Sequence, residues 1–134
     1  MQCILFDKPF LLLTYDAVNC WLHAQWRGHL TLEVVREGSE KVLELVQTHR
    51  YQRLLNDNTR VTLLDLTEEE QQGYQIMHLL FEAGLHYLAW VYAPVAQGRS
   101  YADNSVAAAG WPLVLTFEEY ELAAEWLLQM PSGA

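Results

Sequence analysis

Asparagine, aspartate and asparagine stand together at positions 56–58, directly after the apolar pair Leu54-Leu55. A carboxylate flanked by two amides both accepts and donates hydrogen bonds, and this serves two ends. Asn and Asp side chains satisfy neighbouring backbone in turns. The same groups just outside the carboxyl end of a parallel strand lie where open α/β sheets tend to bind ligands. Asn56, Asp57 and Asn58 are therefore candidate ligand- or partner-binding residues, with turn formation as the competing role. Tyr92, at the end of the apolar run His86–Tyr92, joins them because parallel neighbouring strands end on the same side of a sheet.

Thr67 is a hydroxyl with two readings. Thr67-Glu68-Glu69-Glu70 has the spacing of a capping box, in which the threonine oxygen accepts from an early helix amide and the glutamate reaches back. Its alternative is a regulatory hydroxyl. Other chemistry is poorly represented. The five histidines, His23, His29, His49, His78 and His86, show no zinc-ligand spacing with one another or with cysteine, so no metal is expected. Cys20 and His23 are three apart on a predicted strand, which puts them on opposite faces. Gly98-Arg99-Ser100 is too short for a phosphate-binding loop. No acid–base pair or nucleophile stands out, so the chain reads as a non-enzyme without a cofactor.

The elements that must position these groups follow from periodicity. Pro9 to Tyr15 reads as a first strand, Asp16-Ala17-Val18-Asn19 as a turn, and Cys20 to Trp26 as a second strand ending at Gly28, together an antiparallel hairpin. Thr31 is a plausible N-cap, and Leu32, Val35, Val42 and Val46 form a helical stripe that ends near His49, with Gly38 interrupting it. Gln52 to Asn56 is the third strand, with a turn over Asp57-Asn58-Thr59. Val61 to Leu66 reads either as strand or as packed loop. The capped helix from Thr67 carries Tyr74, Met77 and Phe81 and stops at Gly84. His86 to Tyr92 is a buried strand, residues 95–110 a loop with a short helix, and Leu113 to Leu115 a last strand. Thr116 and Glu119 have the spacing of a second capping box before a helix lined by Phe117, Tyr120, Ala124 and Leu127. Strands alternating with helices predict an α/β fold with a mixed, mostly parallel sheet of four to five strands, an N-terminal antiparallel hairpin and three to four helices. The strands at Leu54–Asn56 and Tyr87–Tyr92 should be central and parallel.

Composition bounds the rest. A length of 134 residues fits one domain, 1–134, and a hydrophobic fraction of 51% supplies a core without disulfide or metal. The formal charge of −9 repels phosphate backbones and anionic lipid heads, which argues against nucleic acid. No apolar run reaches the roughly 20 residues of a spanning helix, no signal-peptide pattern opens the chain, and Cys3 and Cys20 read as reduced thiols. The expected setting is cytoplasmic. Twelve of the rings are Trp or Tyr (5 Trp, 7 Tyr), and any of Trp21, Trp26, Trp90 or Trp111 left exposed would mark a contact patch.

Three segments carry a resemblance. They are the hairpin Asn19 to Gly28, the strand end Leu54-Leu55-Asn56-Asp57, and Glu82-Ala83-Gly84-Leu85 leading through the aromatic strand to Pro94. In these, and in element order, the chain resembles the STAS domain of bacterial anti-sigma-factor antagonists, and in particular small STAS-like bacterial proteins of unknown function. The antagonists carry an Asp at the end of a central strand and, eight residues later, Asp-Ser-Ser-Gly with a phosphorylated second Ser. Asp57 and Asp65 match those places, and Thr67 falls where the acceptor would be. Glu68 replaces the glycine, and Glu68, Glu69 and Glu70 surround the hydroxyl with like charge, so the resemblance implies the fold and not the phosphorylation switch. The motifs are structural rather than chemical, so the chain itself reads as a non-enzymatic STAS-like binding or regulatory module, with a protein partner or small ligand and a homodimer among the expected assemblies. The alternative is a small-molecule or lipid carrier with a pocket between sheet and helices.

Overall fold

In the computed structural model, residues 2–67, 69–70, 76–108 and 113–131 are described. Six strands form one sheet in the order of the chain: β1 Gln2–Lys8, β2 Leu11–Asp16, β3 Trp21–Thr31, β4 Arg53–Asp65, β5 Tyr87–Val91 and β6 Leu113–Phe117. The first two pairings are antiparallel. The remaining three, from β3 to β6, are parallel. The helices between them are α1 Leu32–His49, α2 Met77–Ala83, α3 Ala96–Ala108 and, after β6, α4 Tyr120–Gln129. The β4 and β5 strands are parallel neighbours, as the sequence predicts.

The expected four to five strands become six because Gln2–Lys8 forms an edge strand. Most of its residues are exposed, Ile4 at 65%, so it lacks the alternation that marks a half-buried strand. Pro9 then lies in the turn between β1 and β2 rather than in a strand, consistent with its missing N–H. Asp16 does hold the next turn, accepting from the backbone of Val18 and Asn19 at 3.0 Å each and from the Asn19 amide at 2.8 Å.

Helix α1 starts where expected, with Thr31 Oγ1 accepting from Val34 N. Gly38 is a packing requirement rather than a break. A Cβ there would lie 2.4 Å from Trp26 Cη2 and 2.8 Å from Leu11 Cδ2, far inside the ~3.5–4.0 Å optimum for carbon contacts. Gly84 ends α2 with φ 123, a conformation open to glycine. Thr67 and Glu70 form the reciprocal capping box, Glu70 N donating to Thr67 Oγ1 at 3.1 Å and Thr67 N to Glu70 Oε1 at 2.9 Å. Glu68, Tyr74 and Trp111 lie outside the described residues. The second expected box does not form. Thr116 belongs to β6, paired with Trp90, and the N-cap of α4 is Glu119 without a side-chain capping bond.

The sheet separates two layers. One face buries Leu11, Leu22, Leu54 and Leu88 against α1, α2 and α3. The other buries Trp21, Leu55, Ala89 and Val91 against Ala123 and Leu127 of α4. Arg53, on the α4 side and only 5% exposed, fastens that helix. Its guanidinium donates to Leu127 O at 3.0 Å and reaches the carbonyl of Asn19. Trp21, Trp26 and Trp90 are 1%, 7% and 5% exposed, so these three are core residues and do not form a contact patch. Cys3 and Cys20 are exposed free thiols. Among the described residues, no helix is long and apolar enough to cross a membrane.

Candidate functional site

The turn expected at Asp57-Asn58-Thr59 is a β-bulge inside a continuous strand. β3 and β4 pair at Gln25 with Asp57 and again at Arg27 with Arg60, so Asn58 and Thr59 oppose Trp26 alone. Asp57 Oδ1 makes the bulge by accepting from Thr59 N at 3.0 Å and Thr59 Oγ1 at 2.8 Å. This is the local aspartate hydrogen bonding that usually closes a turn. Here β3 runs alongside and supplies ladder partners, so the strand bends and continues to Asp65. The segment Val61–Leu66, open between strand and loop in the sequence, is strand through Asp65.

The strand alternation sends the three candidate residues to different faces, all of them buried. Asn56 and Asn58 point into the layer of α1, α2 and α3, where both line a cavity of about 70 Å³. Its walls are largely apolar: Leu54 and Leu88 from the sheet, Val35 and Val42 from α1, Met77 and Leu80 from α2, and Tyr101 from α3. Asn56 Oδ1 accepts from the indole Nε1 of Trp26 at 2.9 Å. Ser105 closes its own bond to Tyr101 O at 2.8 Å. Two other polar atoms of the lining residues, Asn58 Oδ1 and Trp90 Nε1, are buried without a hydrogen-bond partner. The described lining carries no charged side chain.

Asp57 faces α4 instead. His23 Nε2 lies 3.5 Å from its Oδ2, and the Tyr120 ring stands 5.6 Å from the imidazole. Burial pushes the Asp57 carboxyl up, but the His23 imidazole and the Thr59 hydrogen bonds outweigh it, so it sits below the ordinary carboxylate range. Burial, then the charges of Asp57 and Asp16, push the Tyr120 phenol up. The arrangement keeps Asp57 ionised and poorly suited to donate a proton.

Tyr92 follows β5, whose last residue pairs with Asp57, so it does emerge at the level of the asparagines. Its hydroxyl is already engaged, donating to Asp103 Oδ1 at 2.6 Å and hydrogen-bonding Thr116 Oγ1 at 2.9 Å. Arg99 stacks over its ring at 3.9 Å and pairs with Glu118 at 2.6 Å. Thr67 is held in its capping box with Glu70, but the single helix expected from Thr67 to Gly84 does not form, since Ile76 is the N-cap of α2, which starts at Met77. The structure thus brings together Asn56 and Asn58, places Asp57 on the reverse face, and ties Tyr92 into a separate polar cluster. Sequence reasoning did not connect His23 to Asp57, nor Trp26 and Trp90 to the asparagines. The signal for both is the parallel pairing, since His23 opposes Leu55 and Trp90 opposes Asn56.

Among solved structures the chain is similar to an uncharacterised protein of the DUF3478 family from Shewanella loihica PV-4, which has a SpoIIAA-like fold. The two share 12% identity over 95% of each chain, with a TM-score of 0.51. No family model matches the chain, and no curated protein matches it. The architecture is therefore SpoIIAA-like, the fold that the STAS resemblance implies.

Proposed function

We propose that the chain is a non-enzymatic binding module, regulatory in type, that holds a small and mostly apolar molecule between its sheet and helices α1 to α3. The observation that carries this reading is the cavity at Asn56 and Asn58. It is concave, apolar and furnished with a few polar groups, which is the usual make-up of a small-molecule site. Its volume of about 70 Å³ is several times the roughly 10–15 Å³ that a cavity needs on the same measure to hold one water. A compact molecule suits it better than a full-length acyl chain, so a small ligand is favoured over a lipid cargo. A formal charge of −9 disfavours nucleic acid and favours a neutral or basic protein partner.

The experiment is binding of n-pentane to the full chain, followed by the methyl and indole resonances of the cavity wall. A saturable shift at Leu54, Leu88 and Trp90 is expected, and Val42→Phe, which adds a ring to the wall, should abolish it. An unresponsive wall in the wild type, for n-pentane and 1-butanol alike, would overturn the proposal.

A further inference from the structure

The face of the sheet turned away from the cavity is only partly covered, although parallel strands are normally covered on both faces. Among the described residues, three helices lie on the cavity side and α4 alone on the other. It packs chiefly on β5 and β4, burying Ala123 and Leu127. β6 ends the sheet beside β5 and lies largely to one side of the helix. Leu113 and Leu115 pair with Tyr87 and Ala89 and share their face, yet they remain 41% and 40% exposed. The helix continues this strip. The Trp126 ring stands 5.7 Å from that of Phe117, the next β6 residue on the same face, so this side of α4 is turned toward β6. Leu122 lies one turn earlier on that side and is 50% exposed. Leu113, Leu115, Leu122 and the half-buried Trp126 thus form an open apolar shelf between strand and helix. Its rim carries one sign of charge. Glu119 and Glu125 stand three residues to either side of Leu122, which makes them its neighbours on the helix surface. From Leu113 to Pro131 there are four glutamates and no Lys, Arg or His, and Glu118 is the one paired with Arg99 of α3.

We propose that this shelf docks an amphipathic helix of a partner protein, apolar on one face and carrying Lys or Arg along its flank. The surface is on the opposite side of the sheet from the cavity and does not depend on what the cavity holds. A helix laid beside α4, at the packing distance of about 8–10 Å, covers β6 and completes the second layer of the α/β architecture. Its apolar side chains meet Leu113, Leu115 and Leu122, as in other helix-in-groove contacts. Its cations meet Glu119 and Glu125, which fixes the register and favours a basic partner over others. A second copy of this chain is the poorer occupant, because a two-fold interface places the same patch on both sides and brings glutamate against glutamate. An anionic membrane is repelled by the same rim.

The probe is a capped synthetic helix of leucine and lysine, with the leucines at helical spacing on one face, titrated into the isotope-labelled full-length chain. Two controls accompany it: the same peptide with glutamate for lysine, and one of the same composition with the leucines scattered around the helix. The probe should give saturable shifts at the Leu113, Leu115 and Leu122 methyls and the Trp126 indole, with Leu54 and Leu88 of the cavity wall unmoved. Both controls should bind at least roughly tenfold more weakly. Leu122→Gln, on the exposed surface of α4, should weaken the probe by roughly tenfold, and Leu115→Thr repeats the test from the strand. Glu119→Gln with Glu125→Gln should weaken binding and flatten its salt dependence. No binding by the wild type, equal binding of the scattered peptide, shifts centred elsewhere, or an affinity unchanged in both Leu122→Gln and Leu115→Thr overturns the proposal. So does a dimer of the chain alone in sedimentation that Leu122→Gln abolishes, which assigns the shelf to a second copy. Binding to phosphatidylglycerol vesicles that Leu122→Gln abolishes overturns it likewise and assigns the shelf to a membrane surface.

Discussion

A buried polar atom without a partner costs stability, and Asn58 is where that cost is measurable. Its side chain lies in the interior of β4 at 7% exposure with Oδ1 unpartnered. A buried acceptor left without a bond costs about 1–3 kcal/mol. Asn58→Leu removes that penalty and adds apolar contact with Val61, Leu64 and Leu88, which share the cavity. The opposing effect is strain from the longer side chain, held down by the roughly 70 Å³ of adjoining space; overpacking without such space costs about 1–3 kcal/mol. The net expectation is a gain of about 2 kcal/mol, or roughly 6–10 °C in midpoint for a domain of this size. Urea denaturation is the assay, with the midpoint rising and the m-value unchanged. A loss of 1 kcal/mol or more at unchanged m-value would refute the reasoning, because it would mean that the amide is satisfied in the native protein.

Two further perturbations test the surroundings of the site. Thr67→Ala should lower stability by about 1 kcal/mol through loss of the Glu70 N–H acceptor, whereas Thr67→Ser should be near neutral; an unaffected alanine variant in urea denaturation would show that the box is marginal. The Asp57 carboxyl has a folded-state value below its unfolded one, so its contribution is present above about pH 5 and lost as pH falls below about 4 through the folded value. Asp57→Asn should therefore flatten the acid limb of the stability–pH curve, and an unchanged limb would count against the His23 and Thr59 contacts.

What the sequence made legible was local. Thr31 caps α1 and Thr67 closes its box with Glu70 as their spacing demands, Asp16 and Asn19 close a turn, and Gly84 stops α2, because each of these depends on residues within four positions. The parallel order of β4 and β5 was legible too, since apolar strands separated by helical pattern leave few topologies. The polar run at 56–58 shows where this kind of inference ends. Asp57 uses its turn-forming chemistry as expected, bonding to Thr59, yet the product is a bulge. The difference is made by β3, which is more than thirty residues earlier in the chain and offers a parallel ladder out to Thr31. Thr116 fails as a cap for the same reason, since β5 takes it as a ladder neighbour of Trp90.

The bulge also decides what the site is. Without it, Asn56, Asp57 and Asn58 would leave the sheet together as one hydrated loop, and their three polar groups would share an environment. With it, the strand alternates through Asn58, so neighbouring residues in sequence become neighbours of different layers, and the alternation breaks only at Thr59 and Arg60, both exposed. Asp57 is committed to His23 and Thr59 beneath α4, where its charge is held. Asn56 is committed to Trp26. Asn58 joins Asn56 in the cavity lining, with its Oδ1 buried and without a partner. The polar part of the cavity lining therefore depends on the pairing of β3, β4 and β5 more than on any motif.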